Sequence, residues 1–231
     1  MNDKRRFETN SRKLILMDFD DTITDNSEAD YYSFIKTKNK IKPELKEMSI
    51  EEFKKLRKSG WLAHEIIKKM INSDNNEMIE HFNNIRQEIL LMDKEMQDKV
   101  RLNEGVPETL EYLKSKDLIL AITTCKSNRK IVEKLLKKFG ISHYFDNIFC
   151  RERNNFKDIV EIKRDIYIKA LNYYKVMKED VVVVGNLSED LIPAREMGIK
   201  CIGVISNYSK EEDLERYGEV ISDIKGLKVI L

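Results

Sequence analysis

The sequence predicts an α/β fold: a Rossmann-like, doubly wound parallel sheet carrying an inserted all-helical domain. Three observations support that class. Short apolar runs alternate with helical patterns, as a parallel sheet covered on both faces requires. One long stretch near the start has helical periodicity and no strand pattern. The first apolar run ends in a knot of carboxylates, at the kind of strand end where open α/β sheets bind ligands.

Five runs read as strands: residues 13–19, 118–123, 147–150, 180–185 and 201–206. Their helical companions are bounded by characteristic residues. The helix over 106–114 opens with Pro107, whose missing amide proton is harmless at a helix start. The one over 128–139 ends at Gly140, and the one over 187–197 ends at Gly198, each as a C′ residue would. Pro193 is placed in the first turns of the last of these.

Between the first and second strands, residues 25–103 read as an all-helical insert, with periodic segments at 51–58, 62–71 and 78–96. The expected organisation is a core built from 1–24 and 104–231 and a helical cap over 25–103. The insert leaves and re-enters the chain at the carboxyl edge of the sheet, which suggests a lid. Within it, Trp61 after Gly60 reads as small-core packing, His64 and His81 as polar-face residues, and Met70, Met78, Met92 and Met96 as core filler.

Composition narrows the function. The 42 Lys and Arg less the 41 Asp and Glu leave a formal charge of +1, which argues against a nucleic-acid scaffold or a polybasic membrane binder. With 41% hydrophobic and 36% charged residues, the chain has material for a core under a solvated surface. No uncharged apolar stretch approaches the roughly 20 residues of a membrane helix, and the basic start is followed by only four apolar residues before Asp18, too few for a secretory core. A cytoplasmic protein, monomeric or weakly dimeric, is expected. Cys125, Cys150 and Cys201 form no C-x-x-C pair, so neither a disulfide framework nor a structural zinc site is indicated.

The chemistry concentrates in Leu14-Ile15-Leu16-Met17-Asp18-Phe19-Asp20-Asp21-Thr22. Carboxylates crowded at one strand end repel unless a cation neutralises them, and hard oxygen ligands of this kind suit magnesium. A purely structural account, with Asp20 and Asp21 capping the next helix, is the competing one.

This run resembles the first motif, D-x-D-x-T after an apolar strand, of the haloacid dehalogenase-like superfamily, in particular its phosphatases with a helical cap and its phosphoglycolate phosphatase and β-phosphoglucomutase-like members. The resemblance spans nearly the whole chain. The second motif, a strand ending in a hydroxyl, is similar to Leu118-Ile119-Leu120-Ala121-Ile122-Thr123-Thr124, with Cys125 where Asn often stands. Lys163 fits the third motif without the usual following Pro, with Lys157 and Arg164 as competitors. Val181-Val182-Val183-Val184-Gly185-Asn186-Leu187-Ser188-Glu189-Asp190 fits the fourth, except that Asn186 replaces an acid. Asn186 or Ser188 is also a natural N-cap there.

The resemblance implies Asp18 as nucleophile and Asp20 as general acid/base. It implies Thr124, the backbone amide of Cys125, and Lys163 as phosphate-binding groups. It implies Asp18, the carbonyl of Asp20, Asn186 and Asp190 as holders of Mg2+. The implied substrate is a small phosphorylated metabolite, with no nucleic-acid or membrane partner. A phosphomutase, a dehalogenase or a non-catalytic phosphate-binding regulator are the alternatives; Asn186 favours a dehalogenase and Asp20 opposes it, because a phosphate ester's leaving group needs an acid.

Overall fold

Leu14, Ile15, Leu16 and Met17 are fully buried, and they form the first strand, β1 (Leu14–Asp18), of a computed structural model that describes residues 13–152 and 158–231. Successive side chains of a strand face opposite ways. Ile15 and Met17 accordingly join one hydrophobic cluster, while Leu14 and Leu16 join another on the opposite face of the sheet. A strand apolar at every position is what burial on both faces demands.

The chain continues through β2 (Thr24–Asp25), α1 (Ser27–Ile41), α2 (Ile50–Lys58), α3 (Ala63–Ile71), α4 (Asn76–Met92), α5 (Lys94–Lys99) and β3 (Arg101–Leu102). It then alternates: α6 (Val106–Ser115), β4 (Ile119–Thr124), α7 (Arg129–Lys138), β5 (Asn147–Cys150), α8 (Ile159–Tyr174), β6 (Val181–Gly185), α9 (Ser188–Glu196), β7 (Lys200–Val204), α10 (Glu211–Glu215), β8 (Glu219–Ile221) and α11 (Leu227–Ile230). The main sheet has the order β5-β4-β1-β6-β7-β8 and every pairing is parallel. From β1 the chain winds outward on one side through β4 and β5, then returns to the other through β6, β7 and β8. The reversal puts the ends of β4, β1 and β6 side by side, the crevice position for ligands in such sheets.

Helices α6 and α7 cover one face through Val106, Leu110, Leu113, Val132, Leu135 and Leu136. On the other, α8 and α9 contribute Ile162, Ile166, Tyr167, Ala170, Leu191 and Ala194. Asn128 caps α7 by accepting from the Lys130 amide, and Gly140 follows the helix at φ 71°, as the sequence predicts. The helices between β2 and β3 have a cluster of their own, built on Phe34, Phe53, Ile66, Ile67 and Phe82.

The structure adds to and corrects the predicted elements. A sixth strand, β8, was not predicted, because three residues carry no periodic signal. Residues 25–103 are not wholly helical: Thr24 and Asp25 pair antiparallel with Leu102 and Arg101, a two-stranded ribbon where the chain enters and leaves the helical segment. The helix predicted over 78–96 is broken at Asp93, which closes α4 and caps α5 by accepting from the Glu95 amide. Met92 consequently lies exposed, whereas Met70 and Met96 are buried and Met78 packs on the helical cluster. Trp61 packs there too, and His64 and His81 are exposed. Pro193 is the sixth residue of α9, beyond the first turn, so the Glu189 carbonyl has no amide four residues on to accept from. Among the described residues no helix is long and apolar enough to cross a membrane, and all three cysteines are free thiols.

Candidate active site at the carboxyl edge of the sheet

Asp18 is the last residue of β1 and is paired in register with Thr123 of the neighbouring β4. It is buried. Its Oδ1 accepts from Lys163 Nζ at 2.5 Å, and the same ammonium lies 2.7 Å from Asp190 Oδ1. Lys163 also donates to the Thr123 carbonyl at 3.3 Å. Two buried carboxylates thus share one buried cation. Desolvation works against the Lys163 charge, but Asp18 and Asp190 outweigh it and hold the ammonium well above its ordinary range. For Asp18 the balance is reversed. Burial above all, with Asp190 and Asp20 adding to it and Lys163 opposing, raises its carboxyl to about 7.

Asp190 reaches this point because of its neighbours. A Cβ on Gly185 would fall 2.4 Å from the Asp190 Cβ, so only glycine lets the carboxylate lie against the end of β6. Asp190 Oδ2 accepts from the Leu187 amide at 3.1 Å, and Tyr167 donates to its carbonyl. That bond corrects the expected capping of α9: the cap position is Leu187, satisfied from within the helix by Asp190, rather than Asn186 or Ser188. Asn186 is occupied differently. Its Oδ1 accepts from the Thr22 hydroxyl at 3.1 Å, and its Nδ2 donates to Ser206 Oγ at 3.0 Å.

Asp20 sits beyond the strand in a tight turn, where the amides of Ile23 and Thr24 both bond the Phe19 carbonyl. Asp21 in that turn has φ 60°, an uncommon conformation that asparagine and aspartate tolerate best. Its side chain is committed to the Asn26 amide. Asp20 is ion-paired with Lys126 at 2.6 Å, a partner the sequence reading missed. The signal was present, since Lys126 follows the β4 strand end by two residues, but one lysine among many carries little weight. Thr124 is fully buried, and its Oγ1 accepts from the Lys126 amide at 3.1 Å. Burial pushes the Cys125 thiol up to about 11, with Lys163 opposing and Asp18 and Asp190 adding to it. The side chain is therefore a neutral thiol beside the charge cluster and no substitute for a side-chain amide.

Of the competitors for the third motif, Arg164 pairs with Glu196 away from this cluster, and Lys157 lies outside the described residues. The structure therefore brings together Asp18, Lys163 and Asp190, and separately Asp20, Lys126 and Thr124. Among the described residues no group of three or more His, Cys, Asp and Glu is placed to hold a metal. The oxygen donors nevertheless fit a hard cation. Asp18, which Lys163 alone leaves undercompensated, has a charge deficit that a divalent ion would relieve.

Comparison with known proteins identifies the family and the fold. The profile described as haloacid dehalogenase-like hydrolase matches residues 15–204. A pyrophosphatase PpaX of Halalkalibacterium halodurans is 32% identical over 115 residues, covering 49% of this chain and 50% of that protein. The phosphorylated carbohydrates phosphatase of Thermotoga maritima is 32% identical over 120 residues, covering 51% and 53%. The chain thus spans about half the length of these relatives. Among solved structures, a haloacid dehalogenase-like family hydrolase of Streptococcus pneumoniae superposes with a TM-score of 0.75 at 19% identity, covering 95% of this chain and 98% of that one. A likeness at that identity speaks for the fold.

Proposed function

Because the chain belongs to the haloacid dehalogenase-like hydrolase family, we propose that it is a magnesium-dependent phosphohydrolase acting on a small phosphorylated metabolite in the cytoplasm. The observation that carries this reading is the buried Asp18 at the end of β1, held by Lys163 with Asp20 two residues on. The family match and the two phosphatase relatives support it. Residues 1–24 and 104–231 would form the catalytic core and 25–103 a cap that shields the reaction from water.

In this reading the Asp18 carboxylate attacks phosphorus in line, an aspartyl-phosphate forms, and the ester P–O bond breaks as Asp20 protonates the departing oxygen. Asp20 then takes a proton from water, which attacks phosphorus, frees inorganic phosphate and restores Asp18. Lys163 offsets negative charge on Asp18 and on the phosphoryl oxygens. Thr124 and the Cys125 amide would hold a phosphate oxygen. Lys126 would orient Asp20 toward the leaving group. A magnesium ion carried by Asp18, the Asp20 carbonyl, Asn186 and Asp190 would neutralise phosphate charge as a Lewis acid.

The test is phosphate release from an aryl phosphate and a panel of small phosphorylated metabolites, with and without magnesium, for the native protein and Asp18→Asn. Metal-dependent release that the substitution removes is the expected result. Release undiminished in Asp18→Asn would sink the mechanism.

A further inference from the structure

Asn186 directly follows β6 and is buried. Its Oδ1 faces Thr22, on the β1 side, and accepts from that hydroxyl; its Nδ2 faces the loop after β7 and donates to Ser206 Oγ. An amide oxygen that accepts one hydrogen bond keeps a lone pair for a cation, whereas the amide nitrogen offers only protons. The direction in which the amide is turned therefore decides whether position 186 attracts a cation or repels one. A carboxylate would present an oxygen either way round. The question arises in this chain because the acid of the fourth motif is replaced by Asn186.

Ser206 does more than hold that nitrogen. Its Oγ also accepts from the Tyr208 amide at 3.1 Å, and its own amide donates to the buried Ser209 Oγ at 2.7 Å. A serine hydroxyl that takes the amide two residues on bends the chain into a tight turn. Tyr208 is carried by that turn to a cavity of about 400 Å³ between the sheet edge and the helical segment, which it lines with Asp30 of α1, Arg57 of α2 and Arg86 of α4. The Tyr208 hydroxyl donates to Asp30 Oδ2 at 3.2 Å, and the Arg57 guanidinium stacks 4.5 Å from its ring. Asp30 is held in turn by Arg86 Nη1 at 2.7 Å and lies 3.6 Å from Arg57 Nε. Polar contacts thus run from Thr22 through Asn186, Ser206 and Tyr208 to Asp30. Ser206 Oγ is the atom that both halves of the run share.

Resting on the reading of Asn186 as a holder of magnesium, we infer that Ser206 is a positioning residue. Its hydroxyl turns the Asn186 oxygen toward the β1 side and, through Tyr208, seats the helical segment against the sheet. A neutral amide serves a hard cation only when its direction is fixed, and Ser206 fixes it from the same loop that grips α1 and α2. The orientation of the metal-side amide and the seating of the helices are set by one hydroxyl.

The experiment measures Mg2+ affinity by calorimetry without substrate, and amide hydrogen exchange in α1 and α2, for the native protein, Ser206→Ala and Ser206→Thr. Ser206→Ala should weaken Mg2+ binding about fivefold, the order that one hydrogen bond is worth, and speed exchange in both helices about as much. Ser206→Thr keeps the hydroxyl and should restore most of both. In an Asn186→Ala background, where Asp18 and Asp190 remain to hold the ion, Ser206→Ala should leave Mg2+ affinity unchanged and still speed exchange. A loss of affinity that persists without Asn186, or that threonine does not restore, overturns the positioning role. So does native affinity or native exchange in Ser206→Ala. Failure of the native protein to bind Mg2+ overturns it together with the magnesium reading. Mg2+ binding weakened as expected, in a protein that releases no phosphate from any substrate, keeps the positioning role and sinks the phosphohydrolase reading. Metal-dependent phosphate release with Mg2+ affinity untouched by Ser206→Ala does the reverse.

Discussion

Two buried charge clusters lie near the same edge of the sheet and are compensated to different degrees. At the end of β1, one ammonium, Lys163, serves two carboxylates, Asp18 and Asp190. Among the helices between β2 and β3 one carboxylate, Asp30, serves two guanidinium groups, with Tyr208 as a further donor. The first is short of positive charge, whereas the cavity beside the second is lined by Asp20, Asp21 and Asp30 against Arg57, Arg86 and Lys126 and is balanced. A phosphoryl group bound with a cation would complete the first. A buried ion pair is weak evidence for stability, and one left unbalanced is better understood as part of a binding site.

The largest expected effect separates the clusters by chemistry. Asp18→Asn should lower phosphate release by on the order of 10⁴-fold or more, as loss of a nucleophile does, with the circular dichroism spectrum unchanged. Stability separates them next. Lys163→Met strands two buried carboxylates and should cost about 3–5 kcal/mol in urea unfolding. Arg86→Met leaves Asp30 with Arg57 and Tyr208 nearby and should cost less, about 1–3 kcal/mol. An Arg86→Met loss as large as that of Lys163→Met would show that Arg57 gives Asp30 no effective compensation.

Titration sharpens the contrast further. In metal-free protein Asp18 is raised from 3.8 to about 7 by burial, with Lys163 opposing and Asp190 and Asp20 adding to it. Between those values the folded state holds a proton that the unfolded chain has released, so stability should fall as pH rises through that window and level off above it. Asp18→Asn should therefore gain most over the native protein at pH 8 and least near pH 4, read from the urea midpoint at each pH. A pH-independent difference would mean that Asp18 is ionised throughout.

The two clusters also differ in how far the sequence reveals them. The parallel sheet was legible because β1, β4 and β6 are nearly continuous apolar runs, and Asp18, Thr124 and Asn186 were legible because each sits at or just after a strand end. Asp190 and Lys163 lie within α9 and α8 and were singled out only through the motif resemblance. The second cluster comes from Asp30, Arg57, Arg86 and Tyr208, on three helices and a distant loop, where each looks like one more surface charge or ring until helix packing brings them together. Lys126 was hidden by the abundance of lysine, and β8 and the β2–β3 ribbon were too short to show a period.

Position 186 tests the charge deficit at modest cost. In Asn186→Asp one carboxylate oxygen can still accept from Thr22, and the other can accept from the Ser206 hydroxyl that Asn186 now donates to. The substitution should lower the magnesium concentration for half-maximal turnover by roughly tenfold, through one added charge on a hard-cation site. An unchanged requirement would place position 186 outside the metal's reach.

The smallest effect is expected at Tyr208→Phe, which removes the hydroxyl that donates to Asp30 Oδ2 and keeps the ring beneath Arg57. Asp30 retains both arginines, so the loss should be near the ordinary value of one hydrogen bond, about 1 kcal/mol. Tyr208→Leu removes the stacking surface as well and should cost about 1 kcal/mol more. If Tyr208→Phe instead costs as much as Lys163→Met, Asp30 would depend on the hydroxyl despite its two cationic neighbours.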